Sequence, residues 1–173
     1  MRLSEAVMQN PRCISNQVTK LSLVDKDLLE LDAPDSSILQ RVTHLYLSKS
    51  QLSDLSPLPH LFPHLRSLSL SHNLLSSYLH LRSVLTSLPT LTQLRLDGNP
   101  VYDAFPSCKE TLICELPLLR ELDGRPLDEG AREDAQVTVG RQRQEVERML
   151  ENEVVSDTLK ACEKRVKVHQ QMS

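Results

Sequence analysis

Histidine, cysteine and serine are the residue types in this chain that could ligate a metal or attack a substrate. His60 and His64 stand four apart, the spacing that would put two imidazoles on one helix face for a shared metal ion. Pro63 between them breaks any such helix, so both read as loop histidines. His72 beside Asn73 and His80 after Tyr78 have no spaced cysteine or carboxylate cluster to join. Cys13, Cys108, Cys114 and Cys162 lack the C-x-x-C pairing of a structural zinc site and the density of a disulfide scaffold, so reduced, mostly buried thiols are expected. Serines abound without a G-x-S-x-G elbow, and Gly98, Gly124, Gly130 and Gly140 are too dispersed to cradle a phosphate. Asp97-Gly98-Asn99 and Asp123-Gly124 have the composition of turns at strand ends. These patterns predict no catalytic centre, no cofactor and no metal, hence a protein that is not an enzyme.

Attention passes to the elements that would hold these residues, and there leucine dominates. The chain has 33 leucines, of which 31 fall at or before Leu127, so composition breaks there. At 173 residues it can hold one domain with its own core plus an appendage. Net charge is -3 and aromatic residues make up 3%, which removes the basic footprint and the stacking platform of a nucleic-acid binder. Arg2, Glu5, Arg12 and Lys20 interrupt the first twenty residues, leaving no signal-peptide core. The apolar stretch from Leu112 to Leu119 is broken by Glu115 and Pro117, so no membrane span is expected. A cytoplasmic or nuclear location follows as the expectation.

One register absorbs most of the leucines. The template L-x-x-L-x-L-x-x-N-x-L fits Val18, Leu21, Leu23, Lys26 and Leu28, and then Val42, Leu45, Leu47, Ser50 and Leu52. It fits again at Leu65, Leu68, Leu70, Asn73 and Leu75, and at Leu91, Leu94, Leu96, Asn99 and Val101. A degenerate fifth unit starts at Leu119 and Leu122. Intervals of 24, 23, 26 and 28 residues separate the starts, against about 20 to 29 for leucine-rich repeats. Leu-x-Leu is a short strand with both leucines turned inward, and the Asn side chain bonds backbone groups where the chain turns off the strand. No unit can bury its leucines alone, so the units must stack.

Lys26 and Ser50 occupy the asparagine position of the first two units. Serine can supply part of the asparagine's hydrogen bonds and lysine cannot supply them the same way, so the first unit is expected to be irregular or a cap. The segment from Leu3 to Met8, ended by Pro11, reads as a helical turn or two closing that end. Leucines three apart at Leu52, Leu55, Leu58 and Leu61 suit tight turns or 3₁₀ helix, whereas Tyr78, Leu79, Leu81, Val84, Leu85 and Leu88 suit a true short helix.

These repeats resemble the short leucine-rich class typified by the nuclear protein-phosphatase-1 regulatory subunit. Asn99-Pro100-Val101, Leu112-Ile113, Leu116-Pro117, Leu119 and Leu122-Asp123-Gly124 resemble the cap that ends many such proteins. The Tyr-Arg pair usual before the cap helix is replaced here by Cys108 and Lys109. The resemblance covers about residues 15 to 127 and implies an α/β repeat solenoid: a curved stack with short parallel strands on its concave face, a C-terminal cap and a helical tail. The division expected is 1–17 as N-terminal cap, 18–127 as repeats with their cap, and 128–173 as charged tail.

Residues alternating with the inward leucines must point to the concave surface. They are Lys20, Ser22 and Val24; His44, Tyr46 and Ser48; Ser67, Ser69 and Ser71; Gln93, Arg95 and Asp97; and Glu121 and Asp123. Tyr46, His44 and Arg95 are the anchors expected of a protein interface, and the serine centre would let a helix lie close to the sheet. A plain solvated sheet face is the competing account of each single residue.

Residues 128 to 157 hold nine acidic and four basic residues, and 158 to 173 one acidic and four basic, with Gly140 expected to interrupt the tail. Val155, Leu159, Cys162 and Val166 draw an apolar seam at four-three-four spacing, a contact surface for the repeats' own end or for a partner. Lys160, Lys164, Arg165 and Lys167 read as a solvated helix face, with a microtubule or nucleic acid as the weaker alternative.

The resemblance implies a scaffold that holds other proteins by its concave face and its C-terminal helix, a monomer within a larger complex. Members with these repeats, this cap and a helical tail point to cilium, flagellum, axonemal dynein or centrosome, with tubulin or dynein-associated proteins as partners. A similar spliceosomal protein that holds an RNA-recognition domain gives a nuclear alternative, and a phosphatase regulatory subunit a third.

Overall fold

A computed structural model describes residues 1–9, 19–32, 39–144 and 148. Six strands make one sheet in chain order: β1 (Lys20–Ser22), β2 (His44–Tyr46), β3 (Ser67–Ser69), β4 (Gln93–Arg95), β5 (Glu121–Leu122) and β6 (Arg125–Pro126). The first five are parallel, and β6 returns antiparallel to β5. Parallel neighbours need a crossover between them. The crossovers carry a 3₁₀ turn (Leu39–Arg41), α2 (Leu58–Leu61), α3 (Tyr78–Thr86), and the pair α4 (Val101–Ala104) and α5 (Cys108–Glu115); α1 (Leu3–Met8) precedes them. The architecture is the expected α/β repeat.

Sheet register follows the leucine template. Leu21, Leu45, Leu68, Leu94 and Leu122 are successive partners across the sheet, and none is more than 4% exposed. Each such side chain contributes roughly 2 kcal/mol of burial. Three-residue strands could not hold themselves otherwise, and the buried cluster runs unbroken from Leu3 to Ala135.

Every full unit leaves its strand through the same backbone conformation. Asp25, Lys49, His72 and Gly98, one residue before the asparagine position, have φ of 57°, 56°, 55° and 72°. Side-chain-bearing residues accept this region at a cost of about 1 kcal/mol each. Gly98 has a second reason: a Cβ there would stand 2.3 Å from His72 Nδ1 of the preceding unit.

The asparagines then tie consecutive units together. The Asn73 amide donates to the carbonyls of Leu70 in its own unit (2.9 Å) and Leu47 in the unit before (3.0 Å), while its Oδ1 accepts from Leu52 N–H (3.1 Å). Asn99 repeats the pattern with Leu96 (2.8 Å), Leu70 (2.9 Å) and Leu75 N–H (3.2 Å). Both side chains are buried. Ser50 is not the partial substitute expected: its Oγ is buried and has no hydrogen-bond partner, because the serine side chain is too short to reach the carbonyls an amide spans. Lys26 turns to solvent instead. The template's first residue, Val18, lies outside the described residues.

Across the crossovers the helical content rises along the chain. Leu52, Leu55, Leu58, Leu61 and Phe62 are fully buried, and the unit with leucines three apart forms one α-helical turn rather than the expected 3₁₀ turn. The short helix expected after Tyr78 is α3, capped by Ser77, whose Oγ accepts from His80 N–H; its Leu79 points to solvent, 73% exposed. Tyr78 donates to Glu115 Oε2 at 2.8 Å, and its ring meets that of Phe105 at a 48° tilt with centroids 4.6 Å apart, joining α3 to α5 and to the end of α4.

At the beginning, α1 buries Leu3, Ala6 and Val7 in the core shared with the first unit. Leu3 N–H donates to Glu30 and Leu29 N–H to Met1, and Ser4 bonds Asp32 through both its backbone and its hydroxyl. At the other end Asp123 (φ 51°) and Gly124 (φ 77°) make the two-residue hairpin turn between β5 and β6, a left-handed pair suited to Asp-Gly. A last helix, α6 (129–144), starts on Asp128, whose Oδ1 accepts from Ala131 N–H. It docks through buried Ala135 and through Arg132, which donates to the Ile113 and Leu119 carbonyls. Gly140 does not interrupt it, contrary to expectation, since its amide and carbonyl serve the helix as well as any other residue's. The apolar seam Val155, Leu159, Cys162 and Val166 lies outside the described residues.

Truncating Asn73 to Ala leaves the Leu47 carbonyl and the Leu52 N–H without their partner, Leu70 O keeping its bond from Asn99, and should cost about 3 kcal/mol. Ser50→Ala should cost nothing measurable, and Ser50→Asn should stabilise by about 1 kcal/mol. Urea unfolding of the three variants checks this ordering; equal losses for Asn73→Ala and Ser50→Ala would contradict it.

Candidate functional site on the open face of the sheet

Alternation along the strands places the expected face residues in rows. Lys20, His44, Ser67, Gln93 and Glu121 are consecutive register partners, and Ser22, Tyr46, Ser69 and Arg95 form the next row. Ser48, Ser71 and Asp97 continue the face where the strands end.

Height varies across these rows. Lys20, Ser22, Gln93, Arg95 and Asp97 are exposed, and His44, Tyr46 and Ser48 are half-buried. Ser67, Ser69 and Ser71 point outward yet are only 9%, 7% and 7% exposed. The small serine centre is thus a low one: short side chains between taller neighbours form a floor. The hollow above it, about 230 Å³, is lined by Tyr46 on one side and by Gln93, Arg95 and Glu121 on the other.

Hydrogen bonds hold this floor. Ser48 and Ser69 hydroxyls lie 2.7 Å apart, and Ser71 Oγ donates to Asp97 Oδ1 at 2.6 Å. Gln93 donates to Glu121 at 3.2 Å, and Arg95 stands 3.7 Å from the same carboxylate, so the charged strand residues of β4 and β5 answer each other. The cations at β1 and β3 have no such answer. Neither Lys20 nor Arg66, an exposed residue beside Ser67 that the leucine alternation did not single out, has a carboxylate partner among the described residues. His44 sits among them; burial first, then the charges of Lys20 and Arg66, push its imidazole below the ordinary value and favour the neutral ring.

Asp123 was expected on the face and is instead turned toward the end of β4 and the side chains of Tyr102 and Lys109. Its side chain, 9% exposed, accepts from Leu96 N–H (2.8 Å), Asp97 N–H (3.2 Å) and the Tyr102 hydroxyl (2.8 Å), and pairs with Lys109 at 2.9 Å. Burial opposes its charge, but these donors hold the carboxyl below the usual carboxylate range. Lys109 also lies 4.5 Å over the Tyr102 ring. Cys108 beside it is buried, which pushes its thiol up to about 12, so it stays protonated; Cys114, expected to be buried, is exposed. Among the described residues no three histidine, cysteine or carboxylate side chains gather as a metal site.

Comparison with known proteins places this geometry. A chain of the Drosophila melanogaster SNF/U2A′ complex superposes with a TM-score of 0.59 at 29% identity, covering 73% of this chain and 71% of that one. The chain is a protein of the leucine-rich-repeat type. Subunits of Chaetomium Mex67:Mtr2 share the fold at 18% identity, with a TM-score of 0.55 over 79% of this chain and 98% of that one. In sequence, 60 residues are 45% identical to Dynein axonemal assembly factor 1 of Peromyscus polionotus and of Peromyscus leucopus. That stretch is 35% of this chain and only 10% of those proteins. No family model matches the chain.

His44 should titrate below 6.5 in an NMR pH series followed on its imidazole C–H signals. Lys20→Ala should move the midpoint part of the way back up, since it removes a cation and leaves the burial; an unchanged midpoint would place Lys20 away from the ring.

Proposed function

We propose that this protein is a non-enzymatic adaptor whose open sheet face holds a partner protein during assembly of axonemal dynein in the cytoplasm or at a cilium, flagellum or centrosome. The observation that carries the docking reading is the relief of the face: a serine-floored hollow between Tyr46 and Arg95. Tyrosine and arginine beside a water-excluding recess are the residues that most often dominate interface energies. The likeness to dynein axonemal assembly factors supports the ciliary setting. On this reading the tail beyond α6 is a second contact for the same complex.

A spliceosomal role in the nucleus is the second reading, favoured by the likeness to the U2A′ chain, which was solved in complex with SNF. Here the face would hold a protein domain and would not touch nucleic acid itself.

Affinity purification of the tagged full chain separates the two. The first reading expects axonemal dynein subunits or their assembly factors; co-purifying small nuclear RNA with splicing proteins would replace it by the second. In either case Tyr46→Ala with Arg95→Ala should weaken partner retention by at least roughly tenfold, whereas Leu79→Ala on the opposite side should leave it unchanged. Equal retention by all variants would remove the face from the binding.

A further inference from the structure

The face is not electrically uniform, and the imbalance says what chemistry suits it. On the β4–β5 side the strand charges are answered, Arg95 and Gln93 attending Glu121 and His72 and Ser71 attending Asp97, which leaves Arg120 ahead of β5 as the one cation there without an ion pair among the described residues. The remaining carboxylate, Asp123, is taken by Lys109 and Tyr102. On the β1–β3 side Lys20 occupies the register position beside His44, and Arg66 adjoins Ser67, the register partner of His44 on the other flank. Neighbouring strands lie about 4.8 Å apart, so the backbone positions of the two cations stand roughly 10 Å apart, with half-buried His44 and Tyr46 on the strand between them. Neither has a carboxylate within ion-pair distance among the described residues, in a chain whose net charge is -3.

Resting on the docking reading above, we propose that the β1–β3 side of the face receives an acidic segment of a partner protein, whose carboxylates pair with Lys20 and Arg66 while it packs on Tyr46. A carboxylate arriving there meets cations that need not leave another partner first, so pairing costs no existing ion pair. The sheet from β1 to β5 spans roughly 19 Å, the length of about 13 helical residues. An acidic cluster at one end of such a segment would lie over β1–β3, and its middle over the serine hollow. A nucleic-acid backbone fits less well. Two unpaired cations are few for a phosphate track, and one aromatic ring offers no stacking series.

The test uses the full chain in cells with a photoreactive amino acid at Ser22, which is exposed and sits between Lys20 and Tyr46 on the face. Cross-linked peptides are then sequenced by mass spectrometry. The expected product is a peptide of another protein with a local excess of Asp and Glu. Its yield should fall roughly tenfold for Lys20→Glu with Arg66→Glu and persist for the charge-keeping Lys20→Arg with Arg66→Lys. Melting temperatures of both double variants control for folding. A cross-link to a segment without acidic excess, or one indifferent to charge reversal, overturns the proposal while leaving the docking reading intact. A product within this chain's own acidic residues, or with RNA, also overturns it. No cross-link from Ser22 or from the same probe at Gln93 removes the proposal and the docking reading together.

Discussion

A buried asparagine amide that bonds two carbonyls and one N–H is the constraint on which the rest of this molecule depends. Strands of three residues have too few ladder bonds to set their own register. Asn73 and Asn99 set it from outside the strand, each reaching its own unit and the one before. Leu70 O accepts from both asparagines, so the two rungs are linked through one carbonyl. The left-handed residue before each rung turns the chain so that the amide faces inward. Leucine burial supplies the larger free energy, but it is non-directional; the rung decides where each leucine goes.

The face inherits its shape from that register. Because Leu45, Leu68 and Leu94 align, Tyr46, Ser69 and Arg95 must align beside them, and a small residue between two large ones becomes a recess. The charge imbalance arises the same way: Lys20 and Arg66 are distant in sequence and are brought to either side of His44 by the pairing. The β5–β6 end of the sheet answers to the same logic. Asp123 leaves the face because the hairpin turn swings its carboxylate toward Leu96 N–H and Lys109, doing for Leu96 what the carbonyls of Tyr46, Ser69 and Arg95 do for Leu23, Leu47 and Leu70.

Much of this was legible beforehand, because a period-two pattern inside a repeat fixes which residues face in. The strands, the asparagine role, α1, α3 and the inward leucines of the repeat template could be read from spacing alone, whereas buried Leu31 and Leu39 of the first crossover fall outside that template. What could not be read depended on side-chain length and on neighbours in other units. Ser50 has an asparagine's polarity without its reach. Ser67, Ser69 and Ser71 alternate outward and are still covered. Asp123 has the alternation of a face residue and the surroundings of a buried one. Arg66 escapes the alternation rule because it precedes the strand. The serines, the cations and Tyr46 could be named one by one, whereas the hollow and the unpaired pair belong to the sheet.

Residue-resolved hydrogen exchange on the intact protein tests the central claim most directly. Leu52 and Leu75 lie outside the strands, yet their amides donate to Asn73 and Asn99, so they should exchange as slowly as the strand-side amides of Leu47 and Leu70. Leu28, which stands opposite Ser50 in the same repeat position, should exchange faster than either. If Leu52 and Leu75 exchange at the rate of open loops, or no more slowly than Leu28, the asparagine rungs do not hold the stack and the account fails at its base.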